Sequence, residues 1–164
     1  LALQERRMTP AIELLKKQQC PFQVLSYQHE SQSASYGLEA AEKLQLDPSL
    51  VFKTLVLQLE PAELVVAILP VSHQLDLKQL AKAAGRKKAA MAAPTAVERS
   101  TGYVLGGVSP LGQKKRLRTF IDQSAEALPL IYVSAGRRGL EIEIAPQLLL
   151  QLLGATFVDM TQHL

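Results

Sequence analysis

Lys53 is the residue whose setting in the sequence points most directly to chemistry. It lies in the apolar run 51–59, which predicts a strand, and the strand period of two places it on the same face as Val51, Leu55 and Leu57. Because burying an unpaired ammonium is costly, this lysine must pair with a carboxylate, extend to water, or line a pocket that receives an anion or a carbonyl. The sequence leaves open the simpler alternative, a lysine at a strand end that reaches water.

A glycine-rich segment, residues 100–115, is the second candidate. Gly106 and Gly107 allow positive φ and close approach of the backbone, so their amides could bind a ligand oxygen. The segment does not match a nucleotide-binding phosphate loop. Gly107 and Gly112 have the required spacing, but Gln113 stands where that motif needs a lysine, and no Ser or Thr follows. An ordinary Gly-Gly turn is the structural alternative.

Nucleophilic and metal-dependent chemistry find little support. The histidines His29, His73 and His163 are far apart, and no G-x-S-x-G motif is present. The single Cys20 excludes an intrachain disulfide and a Cys-based zinc site, and we interpret it as a small buried apolar residue. The sequence therefore predicts no metal and no cofactor.

The net charge of +3 conceals a strong segregation. Residues 1–77 carry six basic and nine acidic side chains, residues 78–138 carry twelve and three, and residues 139–164 carry none and three. The basic clusters in the middle segment are Arg86-Lys87-Lys88, Lys114-Lys115-Arg116 with Arg118, and Arg137-Arg138. We expect a shared surface that attracts phosphates, and three separate solvated turns are the alternative.

The chain has 164 residues, of which 48% are hydrophobic and 20% are charged. This length and composition indicate one domain that is stable without disulfides. We assign the domain to residues 8–164 and regard residues 1–7 as an upstream or expression-derived remnant. No apolar run approaches the length of a membrane span, and the expected location is the cytoplasm. Helices are predicted at 10–20, 35–46, 77–84, 94–100 and 146–153, and strands at 22–28, 50–59, 64–70, 103–105, 119–122, 130–134 and 140–144.

These elements predict an α+β fold with a mixed, largely antiparallel sheet, curled toward a barrel and flanked by helices. The short break at 60–63 indicates an antiparallel hairpin. In the last strand Leu140, Ile142 and Ile144 alternate with Glu141 and Glu143, so we expect one buried face and one acidic face.

Five segments, in this order, resemble the YbaK family of Cys-tRNA(Pro) deacylases. They are Phe52-Lys53-Thr54-Leu55, Gln74-Leu75-Asp76-Leu77-Lys78, Arg99-Ser100-Thr101-Gly102-Tyr103, the block from Gly106 to Arg116, and Ile131-Tyr132-Val133-Ser134. The resemblance extends from Met8 to Met160. Its superfamily includes the editing domain of bacterial prolyl-tRNA synthetase.

The resemblance implies a metal-independent trans-editing enzyme that hydrolyses the ester between a misattached cysteine and tRNA(Pro), with tRNA(Cys) as a further substrate and prolyl-tRNA synthetase as a partner. It implies catalytic roles for Lys53 and for the loop residues Gly106, Gly107, Ser109 and Pro110. Substrate binding is implied for Tyr27, Thr54, Ser134 and Glu141. Contact with the tRNA acceptor end is expected at Lys87, Lys88, Lys114, Lys115, Arg116, Arg137 and Arg138.

The resemblance also implies cleavage by the thiol of the substrate cysteine, which attacks its own ester carbonyl. Two positions depart from close relatives: Glu141 replaces an aspartate and Ala135 replaces a glycine. Two alternatives stay open. The first is a deacylase for Ala-tRNA(Pro) or another aminoacyl-tRNA that uses water, and the second is a non-catalytic module that binds tRNA or the synthetase.

Overall fold

The structure of this chain is a computed structural model that describes residues 8–30 and 35–162. The predicted remnant, residues 1–7, and His163 lie outside the described residues. The described helices are α1 (Pro10–Lys17), α2 (Tyr36–Lys43), α3 (Leu77–Ala83), α4 (Pro94–Thr101) and α5 (Pro146–Leu153). The strands are β1 (Gln23–Ser26), β2 (Phe52–Leu59), β3 (Glu63–Pro70), β4 (Ala89–Met91), β5 (Arg118–Asp122), β6 (Ile131–Ser134), β7 (Leu140–Ile144) and β8 (Thr156–Val158).

Capping residues fix the ends of several helices. The Thr9 side chain accepts a hydrogen bond from the Ile12 amide at 3.2 Å, and Pro10 occupies the first turn of α1. Asp76 caps α3 by accepting from two backbone amides. Gly102 ends α4 with φ +81°, a left-handed conformation that glycine adopts without a steric penalty.

The strands form two sheets. The larger has the order β4-β2-β3-β5-β8, with β2 antiparallel to β3 and β4, and with β5 parallel to β3 and β8. The smaller is antiparallel, in the order β1-β7-β6. A parallel bridge between Val51, the residue immediately before β2, and Tyr132 of β6 links the sheets.

Apolar side chains on β3 alternate between two cores. Val66 and Ile68 face a core shared with the smaller sheet, α1 and α5, whereas Val65, Ala67 and Leu69 face a core shared with α3. The larger sheet is therefore covered on both faces, which explains why β2 and β3 are nearly continuous hydrophobic runs.

The mixed α+β class and the predominance of antiparallel pairing are confirmed, as are the hairpin of β2 and β3 and the bounds of β7 and α5. The curl toward a barrel is not confirmed, because the two sheets are not closed into one. Two short strands, β4 and β8, were absent from the sequence prediction. Each has three residues, which is too short for a periodic pattern to be recognised.

The predicted strand 103–105 is wrong. The Tyr103 hydroxyl turns inward and donates to the Leu111 carbonyl at 2.6 Å, and the Gly107 amide donates to the Val104 carbonyl at 2.9 Å. The backbone thus closes a turn there and pairs with no strand.

The prediction of an acidic, solvent-facing side on β7 is also wrong in part. Glu141 is only 7% exposed, because α2 and the loops around the cavity described below cover this end of the smaller sheet.

Among the described helices, none has the length and apolar character needed to cross a lipid bilayer.

Candidate active site

A cavity of about 500 Å³ is lined by residues of both β2 and β6. Val51 and Tyr132 form the bridge between these strands, and Lys53 and Ser134, two residues further along each strand, both line the cavity. The full lining is Tyr27, Ser35, Tyr36, Gly37, Lys53, Thr54, Leu55, Leu105, Gly106, Val108, Ser134, Arg137, Arg138 and Glu141. Eight residues that the sequence analysis assigned to a site therefore meet in one place.

Lys53 is half-buried in the wall of this cavity. Burial lowers the pKa of its ammonium below the ordinary value of lysine, and no charged neighbour contributes to that shift. Within the described part of the chain, no ion pair involves Lys53. The arrangement leaves a positive charge available to a carbonyl or an anion that enters the cavity.

Glu141 lies directly opposite Ser134 in the register of β6 and β7. Burial raises the pKa of its carboxyl to about 8, so the acid is largely protonated at neutral pH. Its Oε2 is buried and has no hydrogen-bond partner among the described residues, and the same holds for Oγ1 of Thr54. Two buried polar atoms without a partner thus belong to residues of one cavity lining, and such groups are costly to bury alone.

Tyr27 and Ser134 complete this part of the wall. The Tyr27 amide donates to the Gly139 carbonyl at 2.9 Å, which continues the pairing of β1 with β7. Burial, and then the proximity of Glu141, raise the pKa of the Tyr27 phenol to about 12, so it stays protonated. The Ser134 hydroxyl accepts from the Gly136 amide at 3.1 Å. The Tyr27 backbone and the Ser134 side chain are thus held in place, and both residues present polar, uncharged groups.

The glycine loop forms the opposite wall through Gly106. Its φ is +89°, and a Cβ at this position would lie 2.5 Å from Nε of Arg138 and 2.7 Å from the Tyr36 ring. Arg138 stacks over that ring at 4.0 Å and donates to the Leu105 carbonyl at 3.0 Å. The absence of a side chain at Gly106 therefore allows three separate segments to meet at the rim of the cavity.

Three loop residues predicted to be catalytic lie outside the cavity lining. Gly107 uses its amide in the turn to Val104. Ser109 is fully buried, and its hydroxyl accepts from the Leu111 amide at 3.2 Å. Pro110 lines a separate pocket of about 200 Å³. These contacts stabilise the loop conformation that presents Gly106.

Of the basic clusters that the sequence predicts to contact tRNA, only one lines this cavity. Arg137 and Arg138 form that cluster, and the Lys114 side chain packs against Gly102. Lys115 and Arg116 line the pocket of about 200 Å³. Lys87 and Lys88 precede β4, whose Ala89 pairs with Leu59. That end of β2 is six residues from Lys53, a separation of about 20 Å along a strand.

Tyr36 is the main residue that sequence analysis missed. It begins α2, a helix anchored by the buried Glu39 carboxylate, which contacts His29 Nδ1 at 2.6 Å and accepts from the Glu30 amide at 2.9 Å. Burial opposes ionisation of Glu39, but these hydrogen bonds and the nearby Lys43 lower its pKa below the ordinary value. An aromatic residue in the first turn of a helix carries no local signal for a site, because only tertiary packing brings α2 over β2.

In residues 8–30 and 35–162, no group of three or more His, Cys, Asp and Glu side chains is arranged to hold a metal ion.

Comparison with known proteins assigns the chain to a family. The family described as "Aminoacyl-tRNA editing domain" matches residues 31–152. This chain belongs to the aminoacyl-tRNA editing family. The expected relationship to YbaK-type editing proteins is confirmed, and with it the general expectation of an editing domain for aminoacyl-tRNA.

One relative in this family is the Enterococcus faecalis protein named "Putative Cys-tRNA(Pro)/Cys-tRNA(Cys) deacylase EbsC". It is 36% identical over 156 residues, covering 95% of this chain and 94% of its own. A solved structure described as "a putative trans-editing enzyme for prolyl tRNA synthetase" has a TM-score of 0.81 at 23% identity and covers 96% of each chain. The hypothetical protein APE2540 reaches a TM-score of 0.84 at 23% identity, covering 94% of this chain and 100% of its own. The two solved structures establish the shared fold.

Proposed function

We propose that this chain is a cytoplasmic trans-editing enzyme that deacylates Cys-tRNA(Pro), and also Cys-tRNA(Cys). The observation that carries the proposal is the convergence of Lys53, Ser134 and Glu141 from three strands on one cavity. The ester of an aminoacyl-tRNA has a small amino acid on one side and a ribose on the other. A cavity of about 500 Å³ is large enough for both.

The polar residues of the cavity divide into three roles. Lys53 supplies the positive charge that stabilises an oxyanion as it develops on the ester carbonyl. Thr54 and Glu141 hold the unsatisfied oxygens, which suit the α-amino group of the substrate. Tyr27 and Ser134 shape the space for the amino-acid side chain, and the methylene that distinguishes Glu141 from aspartate reduces that space.

The proposed chemistry uses the thiol of the bound cysteinyl group. Its thiolate attacks the ester carbonyl carbon, forming a C–S bond while the C–O bond to ribose breaks. The ribose oxygen leaves and takes up the proton that the thiol released, and the resulting thiolactone is later opened by water. A cysteine thiol has a pKa of about 8.5, so a small fraction is already thiolate at neutral pH, and Lys53 increases that fraction. The protein then needs only to hold the substrate in a reactive geometry.

Recognition of the tRNA is assigned first to Arg137 and Arg138, because they lie at the cavity. Lys114, Lys115 and Arg116 extend the basic surface, and Lys87 and Lys88 contribute at longer range. We propose prolyl-tRNA synthetase as the partner from which the mischarged tRNA is received. The E. faecalis relative, named for Cys-tRNA(Pro) and Cys-tRNA(Cys), supports the choice of substrate.

The test is deacylation of Cys-, Ser-, Ala- and Pro-charged tRNA(Pro) by the purified protein, with and without the synthetase. Rapid loss of cysteine alone is the expected result. Efficient hydrolysis of Ala-tRNA(Pro) would replace thiol attack by water attack. Binding of every tRNA without hydrolysis would identify a non-catalytic module.

A further inference from the structure

A second cavity, of about 510 Å³, lies beside the candidate active site. The two cavities share Leu105, Arg137 and Arg138 in their linings. Arg138 is fixed in this partition by its stacking on Tyr36 and by its hydrogen bond to the Leu105 carbonyl. A ligand that extends from the first cavity past the partition therefore enters the second.

The second cavity has the chemistry of a nucleotide site. Its lining includes two arginines and, among the described residues, no acidic side chain, which favours a phosphodiester. Exposed apolar surface accompanies this charge, because Val104 is 67% exposed and Leu105 is 41% exposed. Apolar side chains and guanidinium planes accept the face of a nucleobase with little sequence preference.

We infer that the second cavity binds the nucleotide that precedes the aminoacylated adenosine, with its base against Val104 and the connecting phosphate at Arg137 and Arg138. The inference rests on the proposed function, because that function places the ester and the terminal ribose in the first cavity. The 5′ side of that ribose is the direction in which the substrate must continue, and the shared partition provides the path. The enzyme thus distinguishes a tRNA end from a free aminoacyl nucleoside.

Three cysteinyl esters test this assignment: those of adenosine, of adenosine 5′-monophosphate and of cytidylyl-adenosine. We expect kcat/KM to rise from the first ester to the last by about tenfold, since a bound base and phosphate both contribute. Val104→Asp places a negative charge where the base would lie. It should remove most of the ratio of kcat/KM between the cytidylyl-adenosine ester and the adenosine ester. Met91→Asp is the matched control, because Met91 is 56% exposed and lines neither cavity. It should leave the ratio unchanged.

The outcomes separate the inference from the proposed function. Equal turnover of all three esters by the unmodified protein would overturn the second site and leave deacylation intact. Equal loss of the ratio in Val104→Asp and Met91→Asp would also overturn it. Failure to hydrolyse any ester or charged tRNA would overturn the proposed function, and the inference with it.

Discussion

Val51 and Tyr132 form a parallel bridge between the two sheets, and Lys53 and Ser134 follow it by two residues on their respective strands. Lys53 and Ser134 both line the cavity. Ser134 in turn faces Glu141 across β6 and β7. The bridge thus sets the position of Lys53 relative to the buried Glu141.

Replacing Lys53 should remove the charge that faces the ester. Lys53→Ala is expected to lower kcat by about 100-fold or more, since it removes a preorganised electrostatic interaction. Lys53→Arg should also be inactive, because a planar guanidinium cannot replace a compact ammonium in a closed wall. Single-turnover deacylation measures the effect, and thermal unfolding should show a folded protein. Lys82→Ala, on the exposed surface of α3, is the matched control, and near-normal turnover of Lys53→Ala would exclude the assigned role.

Glu141 should make stability depend on pH. Its carboxyl has a pKa of about 8 in the folded protein, above the ordinary value of 4.5, so the folded state binds more protons between these values. The free energy of unfolding should therefore fall as pH rises from about 4.5 to 8, by a few kcal/mol at most. Glu141→Gln cannot ionise and should remove this decline. Denaturant unfolding at pH 5 and pH 8 measures it, with the exposed Glu126→Gln as control. If the free energy of unfolding declined equally from pH 5 to pH 8 in the unmodified protein and in both variants, burial would not raise the pKa of Glu141.

Gly106→Ala should disturb the rim of the cavity. The new Cβ would meet Arg138 at 2.5 Å and Tyr36 at 2.7 Å, so the stack between these residues must move. We expect kcat/KM to fall by about tenfold or more. Gly85→Ala separates this contact from backbone strain, because Gly85 also has a positive φ, +75°, but nothing lies within 4 Å of its Cβ position. It should cost stability alone. A similar loss of activity in both variants would attribute the effect to backbone strain at a positive φ rather than to the contact with Arg138 and Tyr36.

Salt should weaken tRNA binding in a log-linear manner, as expected when phosphate contacts release counterions. Arg137→Gln should reduce affinity more than Lys87→Gln, because only Arg137 lines the cavity. Neither variant should change the preference for cysteine. Filter binding over a range of salt concentrations tests both statements. An affinity independent of salt would exclude the phosphate contacts altogether.

The thiol mechanism predicts a large difference between two substrates of similar size. Cys-tRNA(Pro) should be deacylated much faster than Ser-tRNA(Pro), and methylation of the substrate thiol should stop the reaction while binding persists. Chelators should have no effect. Cys20→Ala should be fully active, because Cys20 packs against the main core and lines neither cavity. Rapid hydrolysis of the methylated substrate would favour attack by water.

Local sequence patterns determined most of the secondary structure. Helix caps at Thr9 and Asp76, the continuous apolar runs of β2 and β3, and the alternation in β7 each depend on neighbouring residues only, so they could be predicted. Lys53 was found in the same way, as a charge within an apolar strand. The resemblance to a known family added Tyr27, Thr54, Ser134 and Glu141, which no local pattern distinguishes.

Tertiary structure alone decided how these residues are used. Glu141 alternates with apolar residues like any solvent-facing glutamate, and only the packing of α2 and two loops over β7 removes it from water and raises its pKa. Tyr36, Gly106 and Arg138 are far apart in the chain, and their contact depends on where three segments end after the sheets have formed. The sequence determined the elements and the reactive charge, because both follow from local periodicity. The fold decided which polar groups lose their solvent and which basic residues border the cavity, because desolvation and proximity depend on contacts between distant parts of the chain.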